Sequence, residues 1–313
     1  MPRILITGAS GMIGRALLRA LATRQTHEIV ATDLAPAPDL PATIPFERLD
    51  VTGPDAAAVV ARHRPDVIVH LASIVTPARG MPRDTAYAVD VTGSRNVLQA
   101  ALEHGVRRLV VTSSGAAYGY HADNPVPLRE SDPLRGNTAF PYAYHKRLVE
   151  EMLAQARSNA PGLEQVVLRV GTVLGAGTDN QITALFRKPR LLAIRGSDSP
   201  FVFIWTEDLA RILERAATDG PAGVFNVAGD GVMGISDLAE VLGKPVLCLP
   251  AVALRAVLAI AHPLGLSGYG PEQVRFLQYR PVLANTALKA DFGYIPQKSS
   301  REVFDLWKQA AGL

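Results

Sequence analysis

The chain has 313 residues, 48% hydrophobic and 19% charged, enough to bury a large core in one large domain or two intimate ones. A formal net charge of only +3, with lysines and arginines scattered rather than in runs, argues against a nucleic-acid partner. The single cysteine, Cys248, excludes an intramolecular disulfide and fits a reducing compartment.

The N-terminal MPRILITGAS is no signal peptide, because its short apolar run ends at a glycine; a cytoplasmic protein is expected. The first half then alternates strand-like and helix-like segments. Arg3–Ile6 reads as a strand, Gly14–Ala22 as a helix, Glu28–Thr32 as a strand and Asp55–Arg64 as a helix. Strand Val67–Leu71, helix Thr85–His104, strand Arg108–Thr112, helix Tyr142–Asn159 and strand Gln165–Val170 follow. Such alternation implies βαβ units, and the nearly continuous apolar runs Val67–Val69 and Leu109–Val111 fit strands covered on both faces. The expected fold is α/β, a Rossmann-type doubly wound parallel sheet with a smaller, mostly C-terminal substrate-binding part. Residues 1–172, joined by later segments near 201–229, are expected to bind the cofactor; 173–200 and 230–313 are expected to bind substrate. Phe225–Ala228 reads as one more strand. The most apolar long stretch, Pro245–Leu266, contains Arg255, His262 and three prolines, so no membrane span is expected; a buried or pocket-lining helix is.

ILITGASGMIGRALLRAL reads as strand, glycine-rich turn and helix. Gly8 permits the tight turn, Gly11 lets the backbone approach a phosphate, and Gly14 lets helix and strand pack closely. The helix starting near Met12 points free N–H groups at an anion, so Gly8, Ser10, Gly11, Met12, Ile13 and Gly14 form the expected phosphate cradle. Asp33 lies nineteen residues after Gly14, at the end of the second strand, suited to accept hydrogen bonds from ribose hydroxyls. No Arg or Lys follows before Phe46 to hold a 2′-phosphate, which favours NAD over NADP. Asp50 and Val51, in Leu49-Asp50-Val51, are candidates for the adenine edge; a plain turn aspartate is the competing reading.

In FPYAYHK, Tyr142 and Lys146 are four apart on a helix and share a face, while Tyr144 points about 200° away. His145 is expected off the Tyr142 face. A phenol is a poor base near neutrality, and a nearby ammonium is expected to lower its pKa into a usable range. Upstream, RRLVVTSSGAAYG ends a buried strand in Ser113-Ser114, at the sheet edge where cofactors bind.

TGASGMIG, Asp33, LDV at 49–51, HLAS at 70–73, TSSGAAYG, YAYHK and LRV at 168–170 resemble the extended short-chain dehydrogenase/reductases, of the epimerase/dehydratase type. Later segments at 203–213, 225–230 and 279–296 carry the resemblance along the chain. It implies that Tyr142 is the acid/base, Lys146 its partner, and Ser114 the hydroxyl that positions the substrate oxygen. It also implies that Leu71, Ala72 and Ser73 line the cofactor and that Val170 presents its backbone to the nicotinamide end.

The chain departs from the family in four places. Gly115 and Ala116 stand where dehydratases carry an acidic pair. Thr172 replaces the asparagine usual in nucleotide-sugar enzymes, Phe201 replaces an arginine that grips diphosphate, and Asp90 replaces an asparagine. Arg280, in contrast, resembles a diphosphate-binding arginine; a surface or interface arginine is the competing reading. Thr172, Phe201 and Arg280, with Ser114, are the candidate substrate residues. Phe203, Trp205, Leu254, Val257 and Leu258 are further apolar candidates, although core packing suits each of them better. No His, Cys and acidic set has metal-ligand spacing. The expectation is an NAD-dependent oxidoreductase acting on a secondary alcohol or ketone, a small-molecule enzyme without nucleic-acid or membrane partners. A homodimer through helices that include Thr85–His104 and Tyr142–Asn159 is expected by resemblance. A nucleotide-sugar epimerase is the alternative; a non-catalytic NAD-binding regulator is disfavoured because both Tyr142 and Lys146 are kept.

Overall fold

The computed structural model describes residues 1–23, 27–76 and 80–313, with the backbone alone for Arg83. The chain runs β1 (Arg3–Thr7), α1 (Met12–Ala22), β2 (Glu28–Asp33), β3 (Phe46–Arg48), α2 (Asp55–His63) and β4 (Val67–His70). Next come α3 (Arg83–Tyr87), a π-helical stretch over Ala88–Gly93, α4 (Ser94–Glu103), β5 (Arg108–Ser114), α5 (Pro141–Asn159) and β6 (Glu164–Val170). The remainder is β7 (Thr172–Leu174), α6 (Gln181–Phe186), β8 (Leu191–Ile194), β9 (Phe203–Trp205), α7 (Thr206–Ala217), β10 (Gly223–Val227), α8 (Ile235–Leu242), β11 (Val246–Leu249), α9 (Ala251–Ala261), α10 (Gln273–Gln278), α11 (Thr286–Ala290) and α12 (Ser300–Ala310).

Seven strands form one parallel sheet in the order β10-β6-β5-β4-β1-β2-β3. From β1 the chain winds outward to β3, then returns to β4 on the other side of β1. This reversal opens a crevice beyond the carboxyl ends of β1 and β4, the place where doubly wound sheets bind ligands. The central strands bury both faces, which explains their unbroken apolar runs. On one face Leu17, Leu18 and Leu21 of α1 pack with Leu209, Ile212 and Leu213 of α7. On the other, Val59 and Val60 of α2, Val97 and Leu98 of α4, and Val149 and Leu153 of α5 form the second layer. A third core is largely aromatic, with Phe186, Phe201, Phe203, Phe304 and Trp307 in mutual edge and stacked contacts.

Four differences from the sequence expectations have physical causes. β3 is three residues, Phe-Glu-Arg, too short and charged to carry a strand pattern, yet it pairs with β2. The helix expected over Thr85–His104 begins at Arg83 and is widened by the π-helical stretch around Asp90. α7 is a regular amphipathic helix with a buried face, over a segment to which the sequence pattern assigned no helix. Pro245–Leu266 splits at Pro250 into β11 and α9; of the buried or pocket-lining helix expected there, the buried reading fails, since α9 contains no buried residue, while Leu254 and Leu258 do line a cavity. Among the described residues, no helix is long and apolar enough to cross a membrane.

α5 is tied to the sheet by a buried ion pair. Glu150 accepts from Arg169 of β6 at 2.8 and 2.9 Å and from the Ser113 hydroxyl of β5. Arg169 also donates to the Tyr118 hydroxyl (2.7 Å) and the Glu130 carbonyl (2.9 Å), so its donors are largely satisfied. Removing one partner strands the other as a bare buried charge. Glu150→Ala is therefore expected to lower stability by about 3–5 kcal/mol in urea unfolding. A loss below about 1 kcal/mol, the range of exposed pairs, would contradict this role.

Candidate active site

Strand register brings Thr7, His70, Ser114 and Val170 to one edge, because β1 pairs Thr7 with His70 and β5 pairs Ser114 with Val170. Beyond that edge lies a cavity of about 1850 Å³. The loop Gly8–Gly14 lines one end, Ser114, Tyr142 and Lys146 the middle, and Phe201 and Arg280 the other end.

At the first end the backbone is close-packed. Gly8 has φ +68°, and a Cβ there would lie 2.6 Å from the Ala72 backbone nitrogen. A Cβ on Gly14 would strike the Gly8 carbonyl and Ala9. α1 carries no acidic residue in its first turn, so its free N–H groups face the cavity without a competing carboxylate. A dinucleotide fits this cradle: bare backbone for the pyrophosphate, and Asp33 at the end of the neighbouring strand. Asp33 is partly engaged, accepting from the Ser10 amide (3.0 Å) and the Leu34 amide (2.7 Å), which fixes the loop against β2. Arg15 and Arg19 also line the cavity but pair with Asp39, which turns these cations away from a 2′-phosphate. The sequence reading missed all three; basic residues on the first helix were the available signal.

Met12, Ile13, Leu71, Ser73 and Val170 line the cavity; Ser10, Asp33, Asp50, Val51 and Ala72 do not. Ala72 instead lays its backbone over Gly8. Asp50 accepts from the amide and hydroxyl of Thr52, which hold its carboxyl below the usual range. That is the turn-aspartate geometry. Val51 is a core residue against Gly93.

Tyr142, Lys146 and Glu150 form one stripe of α5. Lys146 is buried and donates to the Thr112 carbonyl at 2.9 Å, with its ammonium over the Tyr142 ring, 5.6 Å from the centroid. Burial lowers the Lys146 pKa, while the Asp90 and Glu150 carboxylates oppose that shift. For Tyr142 the expected downward shift is corrected: burial raises its pKa well above the ordinary value, against a hydrogen bond with Ser114 that lowers it. The ammonium sits over the ring face rather than at the hydroxyl, so the phenol stays protonated.

His145 also corrects an expectation. Three residues along a helix rotate a side chain 300°, leaving His145 only about 60° from Tyr142, and it lines the cavity. Its Nδ1 pairs with Asp90 Oδ2 at 2.9 Å. The other Asp90 oxygen accepts from the Ser73 hydroxyl and the Ile74 amide, both at 2.8 Å. Asp90, left without a role by the sequence, thus binds the HLAS segment to α5. Tyr144 lies outside the cavity, under the Arg147 guanidinium.

At the far end the two substrate signals that seemed opposed are one structure. The Arg280 guanidinium lies 4.0 Å from the Phe201 ring centroid and 5.0 Å from that of Phe276. It is buried, donates to the carbonyl and hydroxyl of Ser199, and leaves Nε without a partner. The surface-arginine reading is excluded. Thr172, Leu254 and Leu258 also line the cavity. Phe203 is core, while Trp205 and Val257 lie outside the cavity. Leu283 packs against Gly115, where a Cβ would already meet it at 3.1 Å. Among the described residues, no group of His, Cys, Asp or Glu has the arrangement to hold a metal ion.

The model of the NAD-dependent epimerase/dehydratase family matches residues 4–228. An uncharacterised protein of Mycobacterium tuberculosis is 25% identical over 316 aligned residues, covering 99% of this chain and 84% of that protein. The UDP-glucose 4-epimerase of Thermotoga maritima, solved with UDP-glucose, is similar in fold with a TM-score of 0.76. It is 20% identical, and the alignment covers 99% of this chain and 98% of that one. The Bordetella bronchiseptica enzyme WbmG, solved with NAD and UDP, has a TM-score of 0.73 at 22% identity, covering 99% and 94%.

One buried polar group at the site contributes to the loss of stability in acid. His70 Nε2 bonds the Ser94 hydroxyl (3.0 Å), whose own proton goes to the Asp90 carbonyl (2.6 Å), so Nε2 carries the hydrogen and Nδ1 accepts from Thr7 (2.7 Å). Burial, reinforced by the Lys146 charge, pushes its pKa down to about 3. Between about pH 6.5 and 3 the unfolded chain binds a proton there that the native chain does not, so stability falls as pH falls. Thermal unfolding between pH 7 and 4 is expected to show this loss, with a shallower slope for His70→Gln. An unchanged slope would remove His70 from the account.

Proposed function

Because the chain belongs to the NAD-dependent epimerase/dehydratase family, we propose that it is an NAD-dependent oxidoreductase interconverting a secondary alcohol and its ketone, with Tyr142 as general acid/base. The observation that carries this reading is the gathering of Ser114, Tyr142 and Lys146 on the cavity wall beside the glycine cradle. NAD, when bound, supplies the acceptor or donor of hydride. Residues 1–172 with 201–229 hold the cofactor, through Gly8, Gly11, Gly14 and the carboxylate of Asp33. Residues 173–200 and 230–313 supply much of the substrate wall.

Ser114 orients the substrate oxygen toward the Tyr142 hydroxyl. The raised pKa of Tyr142 keeps the phenol protonated near neutrality, ready to donate its proton to the oxygen of a ketone undergoing reduction. In the oxidative direction Tyr142 must first give up its own proton to solvent, and the resulting phenolate then takes the hydroxyl proton of the alcohol; the Lys146 charge favours that phenolate when the ammonium moves toward it. Lys146 keeps its place through Thr112, and burial excludes competing water.

Two observations favour net redox chemistry over dehydration or epimerisation of a nucleotide sugar. The positions for a dehydratase acidic pair are Gly115 and Ala116, with Leu283 packed against Gly115. The cation at the far end, Arg280, stands on aromatic rings, one of which occupies the place of a second diphosphate-gripping arginine. Epimerisation remains the second reading, favoured by the family and by neighbours solved with UDP-glucose or with NAD and UDP. The proposed assembly is a cytoplasmic homodimer through the outer faces of α4 and α5.

Incubation with NAD and a panel of secondary alcohols is expected to form NADH. Tightly held NAD with interconversion of UDP-sugars and no net NADH would select the second reading. Tyr142→Phe is expected to cut either activity by about two to four orders of magnitude, whereas Tyr144→Phe changes it little. Full activity in Tyr142→Phe would overturn the assignment. NAD is expected to bind more tightly than NADP in isothermal titration; equal affinity would defeat the role given to Asp33 and to the Arg15–Asp39 pair.

A further inference from the structure

α9 has an arrangement that the proposed chemistry does not require. Its sequence, AVALRAVLAIA, carries one charge, Arg255, and not one of its residues is buried. Leu254 and Leu258 form an inward stripe on the cavity wall. The opposite side is apolar too: Val252 is 75% exposed, Ile260 66% and Val257 60%, and Leu264 and Leu266 extend the patch past the helix end. An ordinary surface helix turns a polar face to water. A contiguous exposed apolar patch of this kind marks an interaction surface.

The surroundings identify what covers it. β11, which leads into α9, pairs in parallel with β8. Arg187, Lys188 and Arg190 precede β8 and Arg195 follows it, all exposed. No acidic residue occurs between Asp179 and Asp198, or between Glu240 and Glu272. Among the described residues, none of Arg187, Lys188, Arg190, Arg195 and Arg255 pairs with a carboxylate, and of these Arg187 lies over the Trp307 ring, 5.9 Å from its centroid. Elsewhere arginines are commonly paired, as Arg3, Arg62, Arg107, Arg108 and Arg135 are. The Arg195 amide donates to the Leu249 carbonyl at 2.9 Å, which places this cation beside the start of α9, while Lys188 and Arg190 line the cavity that Leu254 and Leu258 also line.

We propose that α9 and the basic segment around β8 dock this protein on an anionic lipid surface, with the helix lying in the headgroup region. Eleven residues of helix measure about 16 Å, far short of a bilayer's hydrocarbon core of about 30 Å, so α9 lies on the membrane and does not span it. Apolar side chains enter the acyl boundary while unpaired arginines and lysines meet the lipid phosphates. A second copy of the chain is the poorer occupant, because a two-fold interface would set this basic patch against itself. The helix that contacts the bilayer is also a wall of the substrate cavity.

The full-length protein is mixed with phosphatidylcholine vesicles, with and without about 30 mol% phosphatidylglycerol, and sedimented. Partitioning onto the anionic vesicles is expected to be at least about tenfold stronger, and to weaken as salt is raised. The double variant Val257→Glu/Ile260→Glu is expected to lose at least about tenfold of that binding with an unchanged circular dichroism melt, since both side chains are exposed. Arg195→Glu/Arg255→Glu, a second route that leaves the apolar patch intact, is expected to weaken binding to anionic vesicles alone. Equal recovery in the supernatant with and without anionic vesicles would overturn the proposal. So would a wild-type dimer that Val257→Glu/Ile260→Glu converts to monomer, since the patch would then belong to a second copy.

Discussion

Between α5 and β6 a carboxylate and a guanidinium meet almost out of reach of water, and the rotation of the whole of α5 depends on them. A buried pair of this kind is costly unless every lone pair and proton finds a partner. Here Glu150 takes two nitrogens of Arg169 and the Ser113 hydroxyl, and Arg169 reaches the Tyr118 hydroxyl and the Glu130 carbonyl as well. Turning α5 about its axis would leave both charges bare. Because Lys146 and Tyr142 lie one and two turns earlier on the same stripe, the constraint that seats Glu150 also aims the ammonium at the Thr112 carbonyl and the phenol at Ser114.

A second tie acts at right angles to the first. The helix that begins at Arg83 widens into a π turn, and Asp90 emerges from it toward the site. Its carboxylate holds Ser73 and Ile74 on one side and His145 on the other, so the segment after β4 and the start of α5 cannot separate independently. Its pKa is held below the ordinary value by these partners and by the Lys146 charge, which outweigh the opposing effect of burial. An asparagine would supply an acceptor and a donor, but not the charge that faces Lys146 and His145.

At the substrate end, polarity is organised by aromatic rings rather than by counter-ions. Arg280 rests on Phe201 and Phe276, and Phe201 in turn stacks on Phe203 within the third core. The arginine is thus held by packing, and burial drives its pKa downward without a carboxylate beside it. A group placed this way remains available to an anionic part of a ligand. The apolar helix α9 forms another wall of the same chamber.

The glycine cradle, the parallel order of the sheet and the Tyr142/Lys146 stripe were legible because each is a local pattern: strand, turn and helix within twenty residues, or two side chains four apart. What sequence could not show depended on contacts between distant segments. Glu150 and Arg169 look like an ordinary surface charge and a strand-end arginine until β6 is laid beside α5. Phe201 and Arg280, eighty residues apart, read as contradictory signals until one is stacked on the other. The shift expected for Tyr142 had the wrong sign, because proximity of Lys146 in sequence says nothing of burial, and burial outweighs the other influences once the helix is packed. Taken alone, the sequence determined the fold class, the cofactor end and the placing of Tyr142 and Lys146 on one helix face, since backbone sterics and helical periodicity act over short spans. Only the tertiary structure decided which charges are buried, which rings carry Arg280 and which apolar helix is left uncovered, because burial is a property of what a residue is folded against.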